Sequence, residues 1–265
     1  MYYIDSHTHL NAEQLYPEYQ IYFDEFVKIW WLWMVVIWMS KRYDDIAKEI
    51  YSKLNRSSDF LFWYTSWVHP YEVVSWNIEK IDDVDYLSTS VKQSWIVWIW
   101  ECWIDLHYEN SKSSLLLQQE IFDFQCNLSK ESWLPIVIHS RSWFNETIDI
   151  LKNYPDLKIY FHCRWYWKPE YIKLLDKFRN LKVGFCGNIT YKNAVDLRET
   201  LSVLKKEHLL LETDAPYLSP QKFRWQINQP KYITETYDFV ANYLDIDLNE
   251  LQKIVFNNFK ALYFS

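Results

Sequence analysis

The feature that most constrains the fold is an alternation that repeats along the whole chain. Short apolar runs alternate with longer amphipathic stretches, which is the pattern of βα units around a parallel sheet. The runs that predict strands are Tyr2–His7, Met34–Met39, Leu61–Val68, Ile96–Glu101, Pro135–His139, Lys158–His162, Lys182–Cys186 and Leu209–Asp214. The stretches that predict helices include Ser113–Lys130, Asn145–Asn153, Lys231–Tyr243 and Leu248–Leu262. Eight such units favour an α/β fold closed into a (β/α)8 TIM barrel, as one domain over residues 1–265.

Charge and hydropathy exclude several classes of protein. The net charge of −7 argues against a surface that coats nucleic acid, but it is compatible with an enzyme that grips one strand end through metal ions. The apolar run Ile29–Met39 is too short to span a bilayer, and we interpret it as a helix end, a turn and a buried strand. The four cysteines lack paired CxxC spacing and predict reduced thiols. We therefore expect a cytoplasmic protein with neither a membrane association nor an obligate protein partner.

Polar side chains follow the predicted strands at the points where the strands end. Because the carboxyl ends of barrel strands meet at one mouth, where active sites are built, we expect these side chains to lie together. His208 is different, since it precedes a strand, and we interpret it as a structural or surface residue. The residues at strand ends are Asp5, His7, His9, His69, Glu101, Asp105, His139, Arg141, His162, Glu212 and Asp214.

The histidines predict a metal centre. His7 and His9 are two residues apart, so an extended strand points both imidazoles to the same side. Imidazole with carboxylate suits Zn, Mn, Fe or Mg and does not choose among them. We expect two divalent ions bridged by Glu101, an arrangement that activates water for phosphoryl displacement. The expected ligands are His7, His9, Glu101 and Asp214 for the first ion, and Glu101, His139 and His162 for the second.

Asp214 has two interpretations. As a catalytic residue beside Glu101 it would orient the attacking water and accept its proton. As a structural residue it would cap a helix that begins at Ala215-Pro216.

These segments closely resemble the TatD family of metal-dependent deoxyribonucleases, which are amidohydrolase-like barrels. The resemblance implies a TIM barrel, metal-dependent hydrolysis of DNA phosphodiesters, commonly from the 3′ end, and the same six ligands. Its substrate would be a DNA 3′ end or a small phosphodiester. The matching motifs, nearly end to end, are DSHTHLN at Asp5–Asn11, VHP at Val68–Pro70, WECWIDLHY at Trp100–Tyr108, PIVIHSR at Pro135–Arg141, FHC at Phe161–Cys163, LLLETDAPYLSP at Leu209–Pro220 and RWQINQP at Arg224–Pro230.

The resemblance also places residues on the substrate side. Arg141 would fork onto a phosphate, or it would form an ion pair with Asp105, which matches a substrate-side position too. His69 would bond a phosphate oxygen or donate a proton, or it would be a structural histidine. Where the family commonly has Phe-Ser-Gly after the sixth strand, this chain begins with Arg164, which would add a phosphate contact or indicate a different substrate.

Two other functions are compatible with these residues. Related barrels hydrolyse amides, lactones or aminoacyl esters, and fold alone does not decide between such reactions. Glu101 stands where an amidohydrolase would carry a metal-bridging lysine on the fourth strand, which disfavours this alternative. A barrel retained only for binding is disfavoured by the complete ligand set.

The chain has sixteen tryptophans and two glycines, whereas an average protein of this length has roughly eighteen glycines. Trp100, Trp103 and Trp225 occupy glycine places of the family motifs. We hypothesise that most tryptophans stand where the source organism carries glycine, as happens when a UGA codon that is read as glycine is translated as tryptophan. Glycine is used where φ is positive or where the backbone approaches another group closely, and tryptophan suits neither situation. A chain that carries tryptophan at these positions is therefore expected to fold poorly.

Overall fold

The structure is a computed structural model. It describes residues 2–29, 31–36, 45–46, 49–50, 52–54, 61–66, 88, 96–104, 112–140, 143–163 and 166–264.

Eight parallel strands form one sheet in sequence order, β1 to β8. All eight predicted strands are present, and where bounds differ they differ at the ends: β2 begins before the predicted Met34. Residues 34–36 of β2 are fully buried, as expected of a barrel strand that is covered on both faces. The strands are Tyr3–Thr8, Trp31–Val36, Leu61–Ser66, Ile96–Ile104, Ile136–Ser140, Ile159–Phe161, Leu181–Phe185 and Leu209–Leu211.

Hydrogen bonds join the first strand to the segment after the last. The Asp214 amide donates to the His7 carbonyl at 2.9 Å and the His9 amide to the Ala215 carbonyl at 2.7 Å. Beneath them, the buried Asp5 carboxylate accepts from the Thr213 amide at 2.9 Å and from its hydroxyl at 2.6 Å. Segments more than two hundred residues apart in the sequence therefore meet at one mouth.

In the described part of the chain, helices follow β1, β4, β5, β6, β7 and β8, as the sequence predicts. The last one, α7, shows the local reasons clearly: Asp247 caps it by accepting from the Asn249 amide at 2.8 Å, and Leu251, Val255 and Phe259 recur at helical spacing on its buried face. No helix within the described ranges is long and apolar enough to cross a bilayer. The helices are α1 (Tyr19–Lys28), α2 (Lys112–Ser132), α3 (Phe144–Leu151), α4 (Lys168–Lys177), α5 (Val195–Val203), α6 (Ile233–Leu244) and α7 (Leu248–Tyr263).

The described tryptophans fall into different environments. Trp133 follows α2 with φ 59° and an 87% exposed side chain, at the left-handed position that most often holds glycine at a helix end. Trp33 is buried, and its ring lies 5.0 Å from the Phe256 ring and 5.1 Å from the Phe259 ring. The geometry of Trp133 is that of a glycine position, and the packing of Trp33 is that of a core aromatic residue.

Candidate metal centre

Three side chains from the two joined ends of the barrel converge at the mouth. His7 Nε2 lies 2.9 Å from His9 Nε2, and both nitrogens lie close to Asp214 Oδ1, at 3.1 and 3.2 Å. The two imidazoles point to the same side of the chain, as their spacing predicts. We call His7, His9 and Asp214 the first group.

Two more imidazoles converge from neighbouring strands. His139 lies in β5 and His162 directly follows β6. His139 Nδ1 lies 2.9 Å from His162 Nε2. Both residues are buried. We call this pair the second group.

The two groups are adjacent. The His7 ring stacks on the His162 ring with centroids 4.1 Å apart and an interplanar angle of 26°. The two groups therefore meet at these two stacked rings. This is an arrangement suited to a pair of neighbouring cations.

The pKa shifts in the first group favour the protonation states that bind a cation. Burial, together with the neighbouring His162, lowers the pKa of His7 to about 3, so its imidazole is neutral at pH 7 and offers a lone pair. Burial alone would raise the pKa of Asp214, but the imidazoles of His7 and His9, whose Nε2 atoms lie beside Oδ1, outweigh it and hold that pKa below its usual range. Two imidazole nitrogens and one carboxylate oxygen, buried and within 3.2 Å of each other, are a donor set that fits a divalent metal.

Buried polar side chains hold the segment that carries Asp214. Asp214 has φ 55°, a conformation that aspartate tolerates better than most residues, and the chain turns back there across the mouth. Asn228 is fully buried and its amide group donates to the carbonyls of Thr213 at 2.8 Å and Tyr217 at 2.5 Å. No helix begins at Asp214, so the structural alternative of a helix cap is wrong.

The profile of the TatD related DNase family matches residues 4–264. The chain belongs to this family. Among its relatives is YabD, a metal-dependent hydrolase of Bacillus subtilis, 28% identical over 261 residues that cover 98% of each chain. A human 3'-5' RNA nuclease is 36% identical over 107 residues, which are 40% of this chain and 14% of that protein.

Solved structures confirm the fold. The crystal structure of YJJV, a TatD homolog from Escherichia coli, superposes with a TM-score of 0.87 at 19% identity and covers 99% of this chain and 98% of that one. The predicted TIM barrel and the predicted resemblance to the TatD family are therefore confirmed, and the chain is a metal-dependent hydrolase.

Several predicted residues of this TatD protein lie outside the described part of the chain. The backbone of Glu101 lies within β4, next to β5, but its side chain is outside the described residues. The roles predicted for these residues stay predictions. The substrate-side residues outside the described ranges are His69, Asp105, Arg141 and Arg164.

Two thiols lie beside the first group. Cys163, Cys186 and Asp214 form a third set of candidate ligands, and both cysteines are buried and in no disulfide. Burial, with the hydrogen bond between Cys186 and Cys163, raises the pKa of the Cys186 thiol well above its usual value. The Cys186 thiol donates to Glu212 Oε1 at 3.0 Å, and we do not assign these cysteines to the centre. His208, as expected, is structural: its ring donates from Nδ1 to the Leu181 carbonyl at 2.7 Å.

Glu212, for which the sequence predicts no role, is fully buried behind the two groups. Its Oε2 lies 3.7 Å from His7 Nδ1, and its Oε1 lies 4.0 Å from His162 Nδ1. Burial raises the pKa of Glu212, and His162 and Tyr160 oppose that shift. The signal available in the sequence was its place in the Glu-Thr-Asp triplet directly after β8.

Proposed function

We propose that the chain hydrolyses phosphodiester bonds of nucleic acid with two divalent metal ions, acting as an exodeoxyribonuclease on DNA 3′ ends in the cytoplasm. The observation that carries the proposal is the adjacency of the two groups across the stacked His7 and His162 rings, 4.1 Å apart. The printed name of the human relative, a 3'-5' RNA nuclease, supports a nucleic-acid substrate and the 3′ end.

The ligands divide between the two ions. His7, His9 and Asp214 would hold the first ion, His139 and His162 would hold the second, and Glu101 would bridge them. When bound, such ions generate a nucleophile from water at neutral pH and stabilise charge on the attacking and leaving oxygens. The ions would be Mg, Mn or Zn.

Side chains of the protein would transfer the proton and bind the substrate. Asp214 would orient the attacking water and accept its proton at the oxygen that does not face the imidazoles. His69, Asp105, Arg141 and Arg164 would bind and orient the substrate, with the two guanidinium groups on phosphate oxygens. Few phosphates need contact in this scheme, so activity is expected to fall only gently with rising salt.

Metal removal and replacement test the function. We expect a chelator to abolish nucleotide release from single-stranded DNA, and Mg, Mn or Zn to restore it, because the proposed nucleophile is a water that the ions activate. DNA labelled at the 5′ end and at the 3′ end reports the polarity, and RNA of the same sequence reports sugar selectivity. If the folded, metal-loaded protein releases nucleotides from neither polymer but hydrolyses lactones, amides or aminoacyl esters, the nuclease proposal is wrong.

Two substitutions test the bridging scheme. Glu101→Ala and His139→Ala are each expected to lower turnover by at least about 100-fold while leaving the circular dichroism spectrum unchanged, because each removes a ligand rather than a core side chain. Glu131→Ala is the control, since Glu131 is exposed near the end of α2 and accepts from Asn127 at 2.8 Å. Undiminished activity of either test variant removes that residue from the centre.

A further inference from the structure

The two candidate metal groups share one partner on the side away from the mouth. His7 and His162 stack nearly parallel, and both turn their Nδ1 atoms toward the Glu212 carboxylate, at 3.7 and 4.0 Å. The opposite nitrogen of each ring, Nε2, faces a different group: His9 and Asp214 for His7, and His139 for His162. One carboxylate therefore lies behind one imidazole of each group.

Glu212 is fixed in place by protein donors. The Tyr160 hydroxyl donates to Oε2, and the Cys163 amide and the Cys186 thiol donate to Oε1, the latter at 3.0 Å. Burial raises the pKa of both Tyr160 and Cys186, so both keep the protons they donate. Both carboxylate oxygens are thus already engaged, which disfavours Glu212 itself as a metal ligand although it lies within ligand range of His7 and His162.

The strand next to β8 leaves room for this arrangement. Gly184 in β7 is one of the two glycines of the chain. A Cβ at this position would lie 2.5 Å from the Tyr160 hydroxyl oxygen and 2.7 Å from Glu212 Cδ. A side chain at residue 184 would therefore displace the tyrosine and the carboxylate together, and glycine is required there because of a close approach.

We propose that Glu212 is a positioning residue, a single carboxylate that orients His7 and His162 through their Nδ1 edges so that each Nε2 faces its own metal position. Metal-bound histidines commonly turn their other N–H toward a carboxylate, which fixes the tautomer and the ring plane. At 3.7 and 4.0 Å the Nδ1 atoms are beyond hydrogen-bond distance of Glu212, so the carboxylate acts on them electrostatically and favours the tautomer with the proton on Nδ1. Here the same carboxylate serves both rings, so it couples the geometry of the two groups. The inference rests on the ligand assignment made for the proposed function.

The test is metal binding by Glu212→Gln, which keeps the size of the side chain and removes its charge. We expect its affinity for Zn²⁺, measured by competition with a chromophoric chelator, to fall by about 10- to 100-fold, while the number of ions bound at saturation stays that of the wild type. The visible absorption of bound Co²⁺ is expected to shift, because the ligand rings are less constrained. Glu207→Gln is the matched control: it makes the same change beside His208, at an exposed site, and wild-type affinity is expected.

Each outcome has a distinct meaning. Wild-type affinity and an unchanged Co²⁺ spectrum in Glu212→Gln overturn the inference but leave the nuclease proposal intact. Loss of one bound ion at saturation also overturns it, because Glu212 would then be a ligand. Failure of the wild type to bind any divalent ion contradicts the proposed function itself.

A second variant covers the case in which Glu212→Gln does not fold. Tyr160→Phe leaves the carboxylate and removes the donor that holds Oε2, the oxygen nearest His7. We expect the Zn²⁺ affinity of the folded variant to fall by at least about 3-fold. Unchanged affinity in Tyr160→Phe would overturn the inference.

Discussion

Asp214→Asn is expected to lower kcat for nucleotide release by about 1,000-fold or more, because it removes the charge of a proposed ligand and the proposed proton acceptor in one step. Asparagine keeps the size of the side chain and also tolerates the positive φ of this position, so the fold is expected to persist. Steady-state kinetics on end-labelled DNA, with unfolding followed in parallel, provide the measurement.

Asp245→Asn is the matched control for that substitution. Asp245 also has a positive φ, 50°, but it is exposed directly after α6, far from the mouth in sequence and without imidazole partners among the described contacts. Wild-type kcat is expected for it. If Asp214→Asn retains more than about one tenth of the wild-type kcat, a value well short of the loss of a catalytic base, neither role assigned to Asp214 is correct.

Trp33→Gly is expected to lower the free energy of unfolding by about 3–5 kcal/mol, since it deletes a buried aromatic side chain and leaves a cavity. Trp133→Gly is expected to act in the opposite direction, raising it by about 1 kcal/mol, because an L-residue in the left-handed conformation costs energy that glycine does not. Urea denaturation of both variants gives the two values.

The pair tests the glycine hypothesis position by position. Trp225→Gly tests a glycine place of the family motifs at an exposed site: Trp225 is 92% exposed, so a change within about 0.5 kcal/mol is expected. A neutral or stabilising Trp33→Gly would extend the glycine assignment to the core, and a destabilising Trp133→Gly would contradict the backbone argument. Mass spectrometry of the native protein decides Trp100 and Trp103 directly: tryptophan masses there contradict the hypothesis.

The fold was predictable because its signals are local and repeated. Each strand is a short apolar run, and runs such as Ile136–Ser140 and Leu181–Phe185 lie within a residue or two of their predictions. The strand ends were less predictable: β2 begins at Trp31 rather than Met34, because an apolar run does not itself mark where pairing with β1 starts.

The site was predictable as a set of residues but not as a geometry. The spacing of His7 and His9 indicated a shared side, and the strand ends indicated a shared mouth. No local pattern indicated that His139 presents Nδ1 where His162 presents Nε2, or that Glu212 lies behind both groups. Those facts depend on β1, β5, β6 and β8 together, since only tertiary packing decides which edge of an imidazole is covered.

The hydrogen bonds between the first strand and the segment after the last have a consequence for synthesis on the ribosome. His7 and His9 emerge early, but their carboxylate partner and the amide that donates to the His7 carbonyl both belong to residue 214. A nascent chain shorter than this holds two histidines with no third ligand of the first group and an open edge on β1. Assembly of the first group and closure of the ring therefore wait until residue 214 has been synthesised.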